Sequence, residues 1–136
     1  MKKFILPTLL FTSSLMANNL VIEIDKLLNT QGKISIGLYD NANSFAQHTK
    51  VYKGVHIRFS NTKIRYTFTD IPNGLYAISL FHDENENEKI DKNFLGIPTE
   101  GYGFSNNIRP TFRAASFDES KFELKGDKTI IIHMGY

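Results

Sequence analysis

From Leu20 onward, apolar and polar positions alternate with a period of two, and a helical period is almost absent. Leu20, Ile22 and Ile24 alternate with Val21, Glu23 and Asp25, which predicts a strand running to about Leu28. Gln31-Gly32 reads as a turn. Ile34, Ile36 and Leu38 then alternate with Ser35, Gly37 and Tyr39, and the spacing predicts a hairpin with the first strand. Asp40 to Thr49 is polar, with Asn43 or Ser44 placed to cap one helical turn around Phe45 and Ala46. Val55, Ile57 and Phe59 predict a third strand, and Ile64, Tyr66 and Phe68 a fourth with one polar face.

Pro72-Asn73-Gly74 is a turn in which Pro fixes one φ and Asn-Gly accepts positive φ. Leu75 to Phe81 is apolar at nearly every position, which predicts a central strand covered on both faces, with Tyr76, Ile78 and Leu80 in the core. His82 to Ser116 shows no periodicity, and a loop of that length tends to be functional. Phe122-Leu124, a Gly126-Asp127 turn and Thr129 to Met134 close the pattern. About seven short strands in roughly 100 residues predict an all-β antiparallel sandwich, immunoglobulin-like or prealbumin-like. A closed eight-stranded barrel would need more strand and shorter loops.

The first seventeen residues break this pattern. Lys2 and Lys3 precede an apolar run from Phe4 to Leu15, and Ala17 is small enough to precede a cleavage point. This is the layout of a signal peptide over residues 1–17, with one sandwich domain over 18–136 and a periplasmic or secreted destination. The run is too short to span a bilayer, which takes about 20 residues, so no integral membrane segment is expected after its removal. Across 136 residues there are 16 Lys+Arg against 14 Asp+Glu; removing Lys2 and Lys3 leaves 14 against 14. That balance argues against a nucleic-acid partner. Cysteine is absent, which excludes disulfides, thiolate catalysis and Cys-ligated metal sites.

Chemistry concentrates in residues 82–107. Asp83, Asn85, Asn87 and Asp91 fall at relative positions 1, 3, 5 and 9, with the Lys89 carbonyl at 7 and Glu100 as a further oxygen donor. Calcium takes six to eight hard oxygen ligands, and alternate side chains on a tightly wound loop converge on one point. Glu88 stands at position 6, where Gly makes the sharp bend, and Phe94 at position 12, where a bidentate carboxylate is expected. Two readings remain: a calcium loop, or a solvated acidic turn.

The run Pro72-Asn73-Gly74-Leu75-Tyr76-Ala77, then His82-Asp83-Glu84-Asn85, Lys89-Ile90-Asp91, Gly96-Ile97-Pro98 and Glu100-Gly101-Tyr102-Gly103-Phe104-Ser105-Asn106 resembles a bacterial exported family, domain of unknown function 2141. The family pattern is P-x-G-x-Y-A, H-D-x-N-x-N-G-x-L-D and G-x-P-x-E-G-Y-G-F-S-N. Residues 72–106 match it densely and residues 20–70 mainly in strand pattern. Glu88 departs from the pattern's Gly. The resemblance implies an exported β-sandwich-like domain and no assigned activity.

Gly101 and Gly103 interleave with Tyr102 and Phe104. No Lys-Ser/Thr follows, so this is no phosphate cradle. Tyr102, Phe104 and Asn106 either pack over a sandwich edge or face a carbohydrate, a peptide or another envelope protein. The expectation is a non-enzymatic exported module with structural calcium. The rival is a metal-assisted hydrolase using His82, Asp83 and Glu100, although no nucleophile elbow or HExxH accompanies them.

Overall fold

The computed structural model describes residues 17–136 and, ahead of them, Lys3, Ile5 and Pro7. The expected signal segment therefore lies almost wholly outside the described residues. Strand β1 (Ala17–Asp25) is followed by β2 (Lys33–Tyr39), helix α1 (Ala42–Gln47), β3 (Lys53–Arg58), β4 (Ile64–Pro72) and β5 (Gly74–Asp83). After a long excursion come β6 (Tyr102–Phe104), α2 (Phe117–Ser120), β7 (Phe122–Leu124) and β8 (Lys128–His133). A three-stranded sheet runs β4-β1-β8; the other runs β3-β2-β5-β6, with β7 pairing the start of β5. The all-β sandwich expected from the alternation is what forms. One pairing, β1 with β8, is parallel.

The core lies between the sheets because each alternating strand has one apolar face to bury. Leu20, Ile22 and Ile24 of β1, Phe68 of β4 and Ile130 and Ile132 of β8 meet Ile34, Ile36 and Leu38 of β2 and Tyr76, Ile78 and Leu80 of β5. The opposite face of β5 is covered only in part, against the expectation from its apolar run: Ala77 is buried, Ser79 and Phe81 are half-buried, and Leu75, at the end of the strand, stays exposed. There Ala77 joins Tyr39, Phe45, Phe104 and Ala115 in a second cluster. Phe45 makes edge contacts to Tyr39, Phe104 and Phe117 at centroid distances of 5.3, 6.0 and 6.0 Å, a geometry that aromatic quadrupoles favour.

Several local expectations are corrected. β1 and β2 do not form a hairpin: β1 pairs with β4 and β8, and β2 with β3 and β5. The link is too long for a tight hairpin turn, and Leu27 buries itself where the chain crosses from one sheet to the other. The cap of α1 is Asn41, neither Asn43 nor Ser44; its Oδ1 accepts the Ser44 N–H at 2.8 Å. At the β4–β5 link the left-handed residue is Asp70 (φ 58°), while Asn73 and Gly74 keep negative φ. Asp70 lies on the stretch of β4 opposite the register shift between Asn18 and Leu20, so a bulge before the turn reorients the chain into the other sheet.

Helix α2 was not expected, although its signal is in the sequence. Ser116 and Glu119 form a reciprocal capping box, each side chain accepting from the other's backbone N–H. Arg113 holds the Glu119 carboxylate at 2.5 Å, and that hydrogen bond, with those from Ser116, pulls the Glu119 pKa down to about 2.

Candidate functional site

β5 ends at Asp83, and the first turn of the excursion winds around that residue's carboxylate. Asp83 is completely buried. Its Oδ1 accepts the Asn87 N–H at 3.2 Å and its Oδ2 the Glu88 N–H at 2.7 Å. Asn85 and Asn87 repeat the device on a smaller scale: Asn85 Oδ1 accepts the Asn87 N–H at 3.3 Å, and Asn87 Oδ1 accepts the Lys89 N–H at 3.0 Å. Asp and Asn favour such turns because their short side chains reach backbone two residues on. The chain can wind this tightly because Glu86 (φ 58°) and Glu88 (φ 61°) are both left-handed. Glu88 therefore adopts the bend that glycine supplies in an ideal calcium loop.

The remaining carboxylates close the loop. Asp91 Oδ1 accepts from the Asn87 amide at 2.7 Å, and its other oxygen from the Asn85 amide. Glu100 returns from the far end of the excursion, its Oε2 accepting the Glu84 N–H and its Oε1 the Asp91 N–H, both at 2.9 Å. Burial raises the Glu100 pKa most; the two backbone N–H groups oppose this, and the charges on Asp91 and Asp83 add to it. Glu86 lies outside the cluster, paired with Arg58 of β3 at 2.5 Å.

All six residues expected around an ion thus fall within one hydrogen-bonded loop, with Lys89 joined through its N–H. The side-chain oxygens of the other five are engaged by N–H donors. Among the described residues no set of three or more His, Asp or Glu side chains is arranged to hold a metal ion.

A left-handed L-residue costs about 1–2 kcal/mol, and a glycine gives back about 0.4–1 kcal/mol through a more mobile unfolded chain. Glu88→Gly is therefore expected to stabilise the protein by roughly 0.5–1 kcal/mol. A denaturant midpoint that moves downward instead would show that Glu88 is held by contacts worth more than its strain.

The base of the loop rests on residues that the alternation did not single out. His82 is fully buried, with Nε2 2.6 Å from the Gln31 carbonyl and Nδ1 2.6 Å from the Tyr136 hydroxyl. The carbonyl can only accept, so Nε2 carries the proton and the tyrosine donates to Nδ1. Gly32 beside this contact is left-handed, and a Cβ there would lie 2.1 Å from the Asp83 carbonyl oxygen. The Gln31-Gly32 turn is thus clamped to the start of the acidic loop. At its far end, a Cβ on Gly101 would lie 2.5 Å from the Tyr136 ring. Tyr136, a lone aromatic beyond the last strand, carries no periodic signal that would place it here.

Tyr136→Phe keeps the ring and strands the buried His82 Nδ1 without a donor. Such a loss costs about 1–2 kcal/mol. Urea denaturation checks this, and an unchanged midpoint would mean the hydroxyl does not hold the ring.

The surface expected from Tyr102, Phe104 and Asn106 is differently placed. Phe104 is buried in the second cluster. Tyr102 is half-buried beneath the Arg109 guanidinium, 4.0 Å from the ring centroid. Asn106 donates its amide to the Glu119 and Lys121 carbonyls at 3.0 and 2.9 Å. Its neighbours are equally occupied. Ser105 Oγ accepts the Ile78 N–H and donates to the Ser120 carbonyl, and the Asn107 side chain pairs with Ile131 and His133 along the edge of β8. The Ser-Asn-Asn run is a structural tie between β5, α2 and β8.

The molecule is therefore a two-sheet β-sandwich carrying an asparagine-laced acidic loop at the end of its central strand. Residues 22–132 match the family model described as an uncharacterized protein conserved in bacteria, domain of unknown function 2141, and the chain belongs to that family. No curated protein and no solved structure matches the chain. Among the described residues no helix is long and apolar enough to cross a membrane.

Proposed function

We propose that the chain is an exported, non-catalytic β-sandwich module whose loop from Asp83 to Glu100 takes up calcium and thereby orders the segment beyond it. One observation carries this reading: Asp83, Asn85, Asn87, Asp91 and Glu100 are gathered into a single loop wound through a left-handed bend at Glu88. Three of the gathered residues, Asp83, Asp91 and Glu100, are carboxylates, two of them buried, and like charges so placed repel unless a cation or a proton offsets them. Hard oxygen donors with no soft ligand are the chemistry calcium selects. The apolar run from Phe4 to Leu15 behind Lys2 and Lys3 supports export.

No geometric observation favours the hydrolase alternative. Both His82 ring nitrogens are occupied and the ring is buried, which leaves no free nitrogen for an acid–base step. Metal analysis of protein purified without chelator tests the reading. Calcium should co-purify or bind reversibly, and Asp91→Ala should lose it. Protein that neither carries calcium nor binds it on titration sinks the proposal.

A further inference from the structure

The two ends of the acidic loop are joined by a residue that lies far from both in sequence. His82 N–H donates to the Gly101 carbonyl at 2.8 Å, so the residues just outside Asp83 and Glu100 stand side by side. Tyr136 touches both. Its hydroxyl donates to His82 Nδ1 at 2.6 Å and accepts the Leu28 N–H at 3.4 Å, and its ring fills the space that a Cβ on Gly101 would need. Burial pushes the hydroxyl's pKa up; the Leu28 N–H opposes this and the Glu84 charge adds to it, so at neutral pH the hydroxyl keeps the proton it donates. We propose that Tyr136 is a positioning residue for the acidic loop: residues 134–136 form a latch that holds Asp83 and Glu100 in register, and latch closure and calcium uptake strengthen one another. The consequence for calcium rests on the reading above; loop closure does not.

The latch is anchored residue by residue. Met134 is buried, and its N–H donates to the Asp25 carbonyl of β1 at 3.0 Å. Gly135 exchanges two backbone hydrogen bonds with Tyr102 of β6, at 3.0 and 3.1 Å. The Arg109 guanidinium lies where a Cβ on Gly135 would stand, covers the Tyr102 ring and donates to the Tyr102 carbonyl at 3.0 Å. Tyr136 then reaches the end of β5 through His82. Three consecutive residues are thus tied to β1, β6 and β5 in turn.

Register matters because Glu100 works across the loop. Its two oxygens accept the Glu84 and Asp91 N–H groups, at opposite ends of the acidic run. Glu100 adjoins Gly101, so moving Gly101 off the Tyr136 ring moves that carboxylate against both amides. Asp83 adjoins His82 and follows the other end. The bonds from Asp83 to the Asn87 and Glu88 N–H groups, and from Asn87 to Asp91, join residues of the near side only and do not place Glu100. Calcium holds its oxygens at about 2.3–2.6 Å, a shell that a displaced carboxylate leaves incomplete. Whatever factor the closed latch adds to calcium affinity, calcium adds to latch closure.

Tyr136→Ala and Tyr136→Phe in the full chain are compared by native-state amide hydrogen exchange and by calcium titration. Exchange at amides held by side chains reads local opening. The Glu84 and Asp91 amides should exchange about tenfold faster in Tyr136→Ala and about threefold faster in Tyr136→Phe, which keeps the ring. The Ser44 amide, held by Asn41 on α1, should keep its rate. Calcium Kd should weaken in the same order, and calcium should slow exchange at Tyr102 and Gly135 in the unmutated chain. If Tyr136→Ala does not fold, Tyr136→Phe makes the same comparison. Unchanged exchange at Glu84 and Asp91 overturns the latch, whatever the melting temperature does. A uniform acceleration that includes Ser44 also overturns it, because that is loss of global stability alone. A chain that takes up no calcium while the two amides respond supports the latch and sinks the calcium reading instead. Calcium bound equally well by all three proteins overturns the coupling.

Discussion

Ile78→Ala is expected to destabilise the protein by about 2–4 kcal/mol, the largest loss from any single substitution considered for this fold. Ile78 lies at the middle of β5, with no exposed surface, among Leu20, Ile36, Leu38 and Ile132 from both sheets. Truncation removes the transfer free energy of three carbons and leaves a cavity. The surroundings cannot collapse readily, because β5 is pinned on both sides by β2 and β6. Its backbone is pinned too, by Ser105 Oγ accepting the Ile78 N–H at 2.9 Å. Urea unfolding at constant m-value measures the loss. A cost below roughly 1 kcal/mol would make β5 peripheral and undo the sandwich core described here.

The period of two carried most of this fold into view, because each strand buries one face and shows the other. β5 was legible for the opposite reason: a strand whose second face is covered at its middle has little polar pattern, and Tyr76, Ala77, Ile78 and Leu80 are all buried while Leu75 at its start is not. Strand partners were not legible. Whether Leu20–Ile24 pairs with Ile34–Leu38 depends on how the chain turns at Lys26 to Gly32, and alternation along a strand is silent on its neighbours. The parallel β1–β8 pairing joins the two ends of the domain, and no local spacing encodes it. Helix α2 was missed although Ser116 and Glu119 spell its capping box, because four residues are too few to show a helical period.

At the candidate site the gathering of Asp83, Asn85, Asn87 and Asp91 into one loop was readable from alternate Asp and Asn positions, since those side chains wind a loop by their own hydrogen bonds. That Phe104 packs inward was one of the two sequence readings, but what covers it and what engages Asn106 were not readable, because both depend on segments that return from elsewhere in the chain: α1 and α2 cover Phe104, and the residues around α2 receive the Asn106 amide.

Calcium should stabilise the folded protein and do so through named residues. Glu88 in place of glycine weakens the loop relative to an ideal one, so affinity is expected in the 10⁻⁴–10⁻³ M class, on the order of that seen in extracellular modules. An ion that binds only the folded state adds RT ln(1 + [L]/Kd), about 2.7 kcal/mol at 100 times Kd. For a domain of this size that corresponds to a rise in Tm of roughly 10 °C. Asp83→Ala and Asp91→Ala should each abolish the shift, whatever they do to the baseline. Glu84→Ala should leave it, because that carboxylate lies 3.8 Å from His82 Nδ1, off the loop's centre. Magnesium should do less, since it demands a tighter octahedral shell.

The most direct test of the account is the Tm of the protein titrated with calcium against a chelator control. A saturable rise, smaller in magnesium and absent in Asp83→Ala and Asp91→Ala, is the predicted result. A Tm that does not move up to tens of millimolar calcium would contradict it and leave Asp83 to Glu100 a self-sufficient hydrogen-bonded turn.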